Sequence, residues 1–198
     1  MKEIVITDKI SYVECTEDPL SADIGIIRDG EEIWLYDVGN DMRSLEGLSG
    51  QYNIVLSHFH QDHVGSIKKL GIKRLYVSKE TQKHIAPAGV IVEEDIYVGS
   101  LHIFPLRSSH AKGSLGLEVD GTYAFVGDAL YCKVKDGKHC YNAQLLREEI
   151  DKLKELKATC LLVSHHPGLI RKKDEVIAEL EEIYAKRIQG SPDILLTS

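Results

Sequence analysis

Cysteine is sparse and unpatterned in this chain of 198 residues. The four cysteines, Cys15, Cys132, Cys140 and Cys160, form no CxxC pair, which excludes the common structural-zinc and dithiol redox motifs. They read as reduced thiols, although Cys132 and Cys140 flank one segment and could meet. Long apolar runs are missing too: none approaches the roughly 20 residues needed to span a bilayer. The opening residues, Met1-Lys2-Glu3-Ile4-Val5-Ile6, hold no extended apolar core and no small-residue cleavage site. No secretory leader is therefore expected, and the expected location is the cytoplasm. Positive charge is in deficit, with 24 Lys and Arg against 31 Asp and Glu and a net charge of −7. That balance argues against a general binder of nucleic acid or of membrane surfaces, and leaves a small molecule as the expected partner. There is no low-complexity linker and no internal repeat, so residues 1–198 are expected to form one domain. Oligomeric state is not legible.

Histidine, by contrast, is concentrated. Ser57-His58-Phe59-His60-Gln61-Asp62-His63-Val64-Gly65 packs three histidines and an aspartate into six positions. The preceding Asn53-Ile54-Val55-Leu56 is a short branched run that reads as a buried strand. After the cluster, apolar residues at 64, 67 and 70 have helical spacing. The cluster thus falls at a strand end and a helix mouth. In extended backbone His58 and His60 point to the same side, because side chains alternate with period two. The turn that follows lets Asp62 and His63 approach the same point. Imidazole and carboxylate donors suit zinc and related divalent metals. The plainer reading of Asp62 is a cap on the following helix.

The remaining chain reads as strands first and helices later. Strands are expected at residues 3–7 and 10–15, and at 22–28 and 31–36 around Asp29-Gly30, the clearest hairpin signal. Residues 42–48 suggest a short helix. Another strand is expected at 74–77, then a helix capped by Ser78 and running to about residue 85. Strands follow at 89–99 and 101–106, and a second hairpin at 115–126 turns on Asp120-Gly121. Residues 144–156 carry leucine or isoleucine at 145, 146, 150, 153 and 156, an amphipathic helix. A buried strand is expected at 160–163 and a helix with an apolar stripe at 173–187. Residues 130–142 read as a polar loop, either covering a site or lying plainly on the surface. Sheets inside and helices outside, of class α+β, agree with this order.

A two-metal site needs more donors than one short motif supplies. Three further strand ends offer them: Ser108-Ser109-His110, Val126-Gly127-Asp128, and Ser164-His165-His166-Pro167-Gly168. Alone, each is ordinary, since a loop histidine is usually polar surface and a Gly-Asp usually a turn. Their order, however, resembles the metallo-β-lactamase superfamily: His58, His60, Asp62 and His63, then His110, then Asp128, then His165, with Asp37 in Leu35-Tyr36-Asp37-Val38-Gly39 resembling that family's early aspartate.

The resemblance covers nearly the whole chain. It implies a four-layer αββα sandwich with the site at one edge. By analogy His58, His60 and His110 would hold one metal, Asp62, His63 and His165 a second, and Asp128 would bridge them. Asp62 and Asp128 would also be the catalytic carboxylates. His165 takes the family's usual place ahead of its neighbour His166. Asp37 is expected to accept a hydrogen bond from a ligand histidine or to brace a turn. Lys112 and Tyr131 read as solvated side chains rather than substrate contacts.

The activity implied is a metallo-hydrolase in which two divalent ions, zinc first and manganese or iron as alternatives, activate water. The ligand spacing is closest to glyoxalase II-like members (hydroxyacylglutathione hydrolases), which implies a small ester, thioester or lactone substrate. The chain departs from thioester-cleaving relatives after His110, where Ala111-Lys112-Gly113 stands in place of Thr-Pro-Gly. Flavodiiron relatives carry glutamate at the position of His60, which favours the hydrolases. Two other readings remain: an iron oxygenase resembling the persulfide dioxygenases, and a metal-holding sensor or scaffold that hydrolyses nothing.

Overall fold

Branched and aromatic residues recur through the first third of the chain, and such residues suit pleated, half-buried surfaces. The computed structural model describes residues 2–196, and the chain divides after Ile96 into two compact units. The first unit contains β1 (Glu3–Val5), β2 (Ile10–Val13), β3 (Thr16–Glu17), β4 (Leu20–Ser21), β5 (Ile24–Asp29), β6 (Glu32–Tyr36), β7 (Gln51–Val55), β8 (Gly71–Val77) and β9 (Val90–Ile91). Seven of these form one sheet in the order β1-β2-β5-β6-β7-β8-β9, while β3 and β4 pair as a separate ribbon. Pairing is antiparallel from β1 to β6 and parallel from β6 to β9.

Parallel neighbours need crossovers, and the crossovers here are short. A 3₁₀ turn at Met42–Leu45 precedes β7; α1 (Gln61–Val64) and a 3₁₀ turn at Ile67–Lys69 lie between β7 and β8; α2 (Lys79–Gln82) follows β8. Ser78 caps α2 as expected, its Oγ accepting from Thr81 N at 3.1 Å. The core of this unit joins Ile24, Ile26, Leu35, Ile54, Leu56 and Val77 to Val64 and Ile67 of the crossover. Each fully buried side chain of this kind stabilises the fold by about 1.5–3 kcal/mol relative to exposure.

The second unit contains β10 (Ile96–Val98), whose first residue is the last of the first unit, then β11 (Leu101–Leu106), β12 (Ser114–Val119), β13 (Tyr123–Gly127), β14 (Lys133–Lys135), β15 (Lys138–Asn142), α3 (Ala143–Glu155), β16 (Cys160–Val163), β17 (Ile170–Lys172), α4 (Lys173–Ala185) and β18 (Asp193–Leu195). Six strands form a sheet in the order β10-β11-β12-β13-β16-β17, in which β13 and β16 run parallel with α3 in the crossover. Asn142 starts α3, its side chain accepting from Leu145 N at 3.0 Å. Leu146, Ile150 and Leu153 then bury one stripe of the helix beside Val176 and Leu180 of α4 and against Phe104, Val126 and Leu161 of the sheet. Among the described residues no helix is long and apolar enough to cross a membrane.

Three expectations are corrected. The segment 89–99 is not one strand: β9 and β10 occupy only its ends and belong to different sheets. The polar loop at 130–142 is a hairpin, β14–β15, completed by β18 into a three-stranded sheet. Asp136 and Gly137 make its two-residue turn at φ 51° and 74°, the left-handed pair such a hairpin requires. In the first hairpin the ladder extends to Asp29↔Glu32, so Gly30-Glu31 makes the turn rather than Asp29-Gly30.

Candidate metal centre

The first set of donors lies where β7 ends. Leu56 N still reaches Tyr76 O at 3.1 Å, and beyond Ser57 the chain leaves the sheet. His60 stands in extended conformation just ahead of α1, which carries Asp62 and His63 on its single turn. The backbone of that turn is pinned from both sides: Ala22 N donates to Asp62 O at 2.9 Å, and Val38 N to His63 O at 3.0 Å. His58 and His63 are buried, while His60 and Asp62 are half-buried. The His58 ring lies 4.4 Å from that of His60 and 4.1 Å from that of His63. One ligand nitrogen of His58 and one of His60 lie within 4.8 Å of each other, as do donor atoms of Asp62 and His63. The expected convergence of His58 with His60 is present.

Asp37 organises this cluster. It follows β6 at φ 60°, is fully buried, and holds three donors. Ser57 N donates to Oδ1 at 2.7 Å, Ser57 Oγ to Oδ2 at 2.7 Å, and His63 Nδ1 lies 2.8 Å from Oδ2. A carboxylate only accepts, so His63 carries its proton on Nδ1. The Ser57 hydroxyl has one proton, which Asp37 receives. Ser57 Oγ therefore accepts from His58 Nδ1, 2.9 Å away. Both histidines are thereby held as Nδ1–H tautomers with the Nε2 lone pair aimed at the donor cluster, where Asp62 Oδ2 stands 3.5 Å from His63 Nε2. Fixing the ring through its second nitrogen is the usual device for presenting histidine to a metal. The donor set thus suits a divalent cation. The hydrogen bond from a motif histidine, one of the two roles expected for Asp37, is made, beside the two from Ser57.

The second unit carries its donors at three strand ends. His110 follows β11 in a turn set by serines: His110 N donates to Ser108 Oγ at 3.0 Å, and Ser108 Oγ to Ala129 O at 2.7 Å. Asp128 follows β13. His165 follows β16, at φ 60°, after Ser164 N donates to Gly127 O at 3.1 Å. Asp128 Oδ2 lies 3.4 Å from His110 Nε2 and 3.9 Å from His165 Nε2. Asp128 is buried, and the two histidines are about one-fifth exposed. His166 turns elsewhere, lining a small cavity with Tyr131, Arg171 and Glu179. Lys112 is exposed as expected. Tyr131 is not: it is half-buried, its hydroxyl donates to Ser164 O at 2.8 Å, and its ring meets that of His110 edge-on at 6.3 Å. All four cysteines are free thiols. Sequence reading assigned no role to Ser57, although its place immediately before the first histidine was a usable signal.

No protein-family profile and no curated protein matches this sequence. Solved structures do match the fold. A B3 metallo-β-lactamase with an active-site glutamic acid aligns at TM-score 0.69 and 14% identity, covering 94% of this chain and 90% of the other. A metallo-β-lactamase superfamily protein from the archaeon Sulfolobus tokodaii aligns at TM-score 0.60 and 15% identity, covering 93% and 90%. A chemotaxis sensor, ODP, described with a peroxy diiron species, aligns at TM-score 0.67 and 14% identity, covering 93% and 94%. The chain therefore has the α+β fold of the metallo-β-lactamase superfamily.

Proposed function

We propose that the chain is a metal-dependent hydrolase that holds two divalent ions, zinc in the first instance, and cleaves a small ester, thioester or lactone. The proposed donors are His58, His60, Asp62 and His63 in the first unit and His110, Asp128 and His165 in the second. The observation that carries this reading is the Asp37–Ser57 network, which commits His58 and His63 to the Nδ1–H tautomer. A protein that used these rings only for packing would not need both held at Nδ1, nor His63 Nε2 presented 3.5 Å from Asp62 Oδ2. The ligand spacing, closest to glyoxalase II-like members, supports the substrate class.

When bound, a pair of divalent ions supplies Lewis acidity that brings water within reach of deprotonation near neutral pH. The chain's own residues do the rest. Asp62 would add a carboxylate oxygen beside His63 in the first unit, and Asp128 one beside His110 and His165 in the second, each able to accept a hydrogen bond from water. Asp37 keeps the His63 ring in register directly and the His58 ring through Ser57. A second reading, an iron-dependent oxygenase or sensor, draws support from the fold shared with the diiron chemotaxis sensor.

Metal analysis of the purified full chain, joined to a panel of ester, thioester, lactone and phosphodiester substrates, separates these readings. Hydrolysis with zinc or manganese supports the first. Iron with oxygen-dependent absorbance changes and no hydrolysis supports the second. His60→Ala and Asp128→Ala should each lower metal content and abolish turnover; full metal content and activity in both would overturn the assignment.

A further inference from the structure

The rings of the first donor set continue past the donors. His63, His58 and His60 touch in sequence, and the Phe59 ring then meets His60 edge-on, with centroids 5.0 Å apart and planes at 84°. On its far side Phe59 stacks on His84, at 4.4 Å and 19°. His84 follows α2 and is anchored there: its backbone N donates to Thr81 O at 2.9 Å, Thr81 is buried, and Glu80 Oε1 lies 3.9 Å from His84 Nε2. His58 and His63 take their orientation from hydrogen bonds at Nδ1. His60 is gripped between two rings, His58 on one side and Phe59 on the other, each nearly perpendicular to it.

We propose that Phe59 and His84 are positioning residues for His60: the Phe59 edge sets the plane of the His60 ring, and His84 backs Phe59 so that it cannot rotate away. This rests on the metal reading above and adds to it a route by which the α2 end governs one donor. Two features favour it over simple filling. Phe59 is only half-buried, so it contributes less to the core than an interior phenylalanine. His84 is exposed, with 45% of its side chain accessible, yet it lies nearly coplanar against Phe59 instead of extending into solvent. Edge-on and offset contacts of this kind are directional, so they constrain ring angle as well as position.

The test uses full-length protein loaded with cobalt(II), whose visible absorption reports ligand geometry, and competition with a chelator for affinity. Phe59→Leu keeps an apolar side chain but removes the ring edge; cobalt affinity should fall about 10- to 100-fold, as for other groups that orient metal ligands, and the absorption band should shift. Phe59→Tyr and His84→Phe retain the ring contacts and should behave as the parent does. His84→Ala should weaken cobalt binding several-fold without changing the melting temperature, because the position is exposed. Parent-like affinity and spectrum in a folded Phe59→Leu protein would overturn the proposal. If Phe59→Leu does not fold, His84→Ala decides: parent-like cobalt binding there overturns the proposal. A parent protein that binds no cobalt would instead overturn the metal reading itself, and this inference with it.

Discussion

Glu149 should make the second unit lose stability as pH rises. It sits on the buried stripe of α3 with no exposed surface, and neither carboxylate oxygen has a hydrogen-bond partner among the described residues. Burial holds its carboxyl well above the ordinary value of 4.5. In the unfolded chain the group ionises near that ordinary value, so above it the folded state retains a proton the unfolded state has lost. Stability is therefore fullest below pH 4.5 and falls as pH rises toward the folded value. The slope is at most about 1.4 kcal/mol per pH unit for one proton, which bounds the loss between pH 4.5 and 7 at about 3 kcal/mol. Glu149→Leu removes the titration and adds apolar volume beside Leu146 and Leu153. Urea unfolding of parent and variant at pH 5, 6, 7 and 8 isolates this residue, because other titrations cancel in the difference. The variant should gain on the parent as pH rises, then level off. A difference that stays constant from pH 5 to 8 would refute the reasoning.

Two further outcomes follow from the geometry. Asp37→Asn keeps a residue that tolerates positive φ but replaces an acceptor-only group with one that presents a donor to Ser57 and His63; metal affinity by chelator competition should fall about 10- to 100-fold. Gly116→Ala would place a Cβ 2.2 Å from the Phe104 ring across the β11–β12 ladder, and thermal unfolding should register a loss of about 1–3 kcal/mol from overpacking.

The sequence was most readable where its own periodicity decides the outcome. The strands at Leu101–Leu106 and Cys160–Val163 fall where branched runs placed them, and α3 starts within one residue of the expected position. The donors at 58–63 were readable because neighbours in sequence are neighbours at a turn. The β14–β15 hairpin was not, because most of its residues are polar or charged and part of its ladder comes from β18, more than fifty positions away. Asp136-Gly137 was the one local clue, the same pair that marked the hairpin at 115–126. Tyr131 was misread because its partner, the Ser164 carbonyl, is visible only once β16 lies beside β13. His84 carried no sequence signal, since nothing local distinguishes it from any polar residue ending a short helix.

Asp37 and His165 share one backbone property, a φ of 60° at a residue bearing a full side chain. That conformation costs an L-residue about 1–2 kcal/mol more than it costs glycine, though aspartate and histidine bear it better than most. At Asp37 glycine would relieve that cost but take away the acceptor that Ser57 N, Ser57 Oγ and His63 Nδ1 share in the interior, at about 1–3 kcal/mol for each buried group. The left-handed backbone at Asp37 is therefore the less costly of the two arrangements, kept in place by the groups that lean on its side chain.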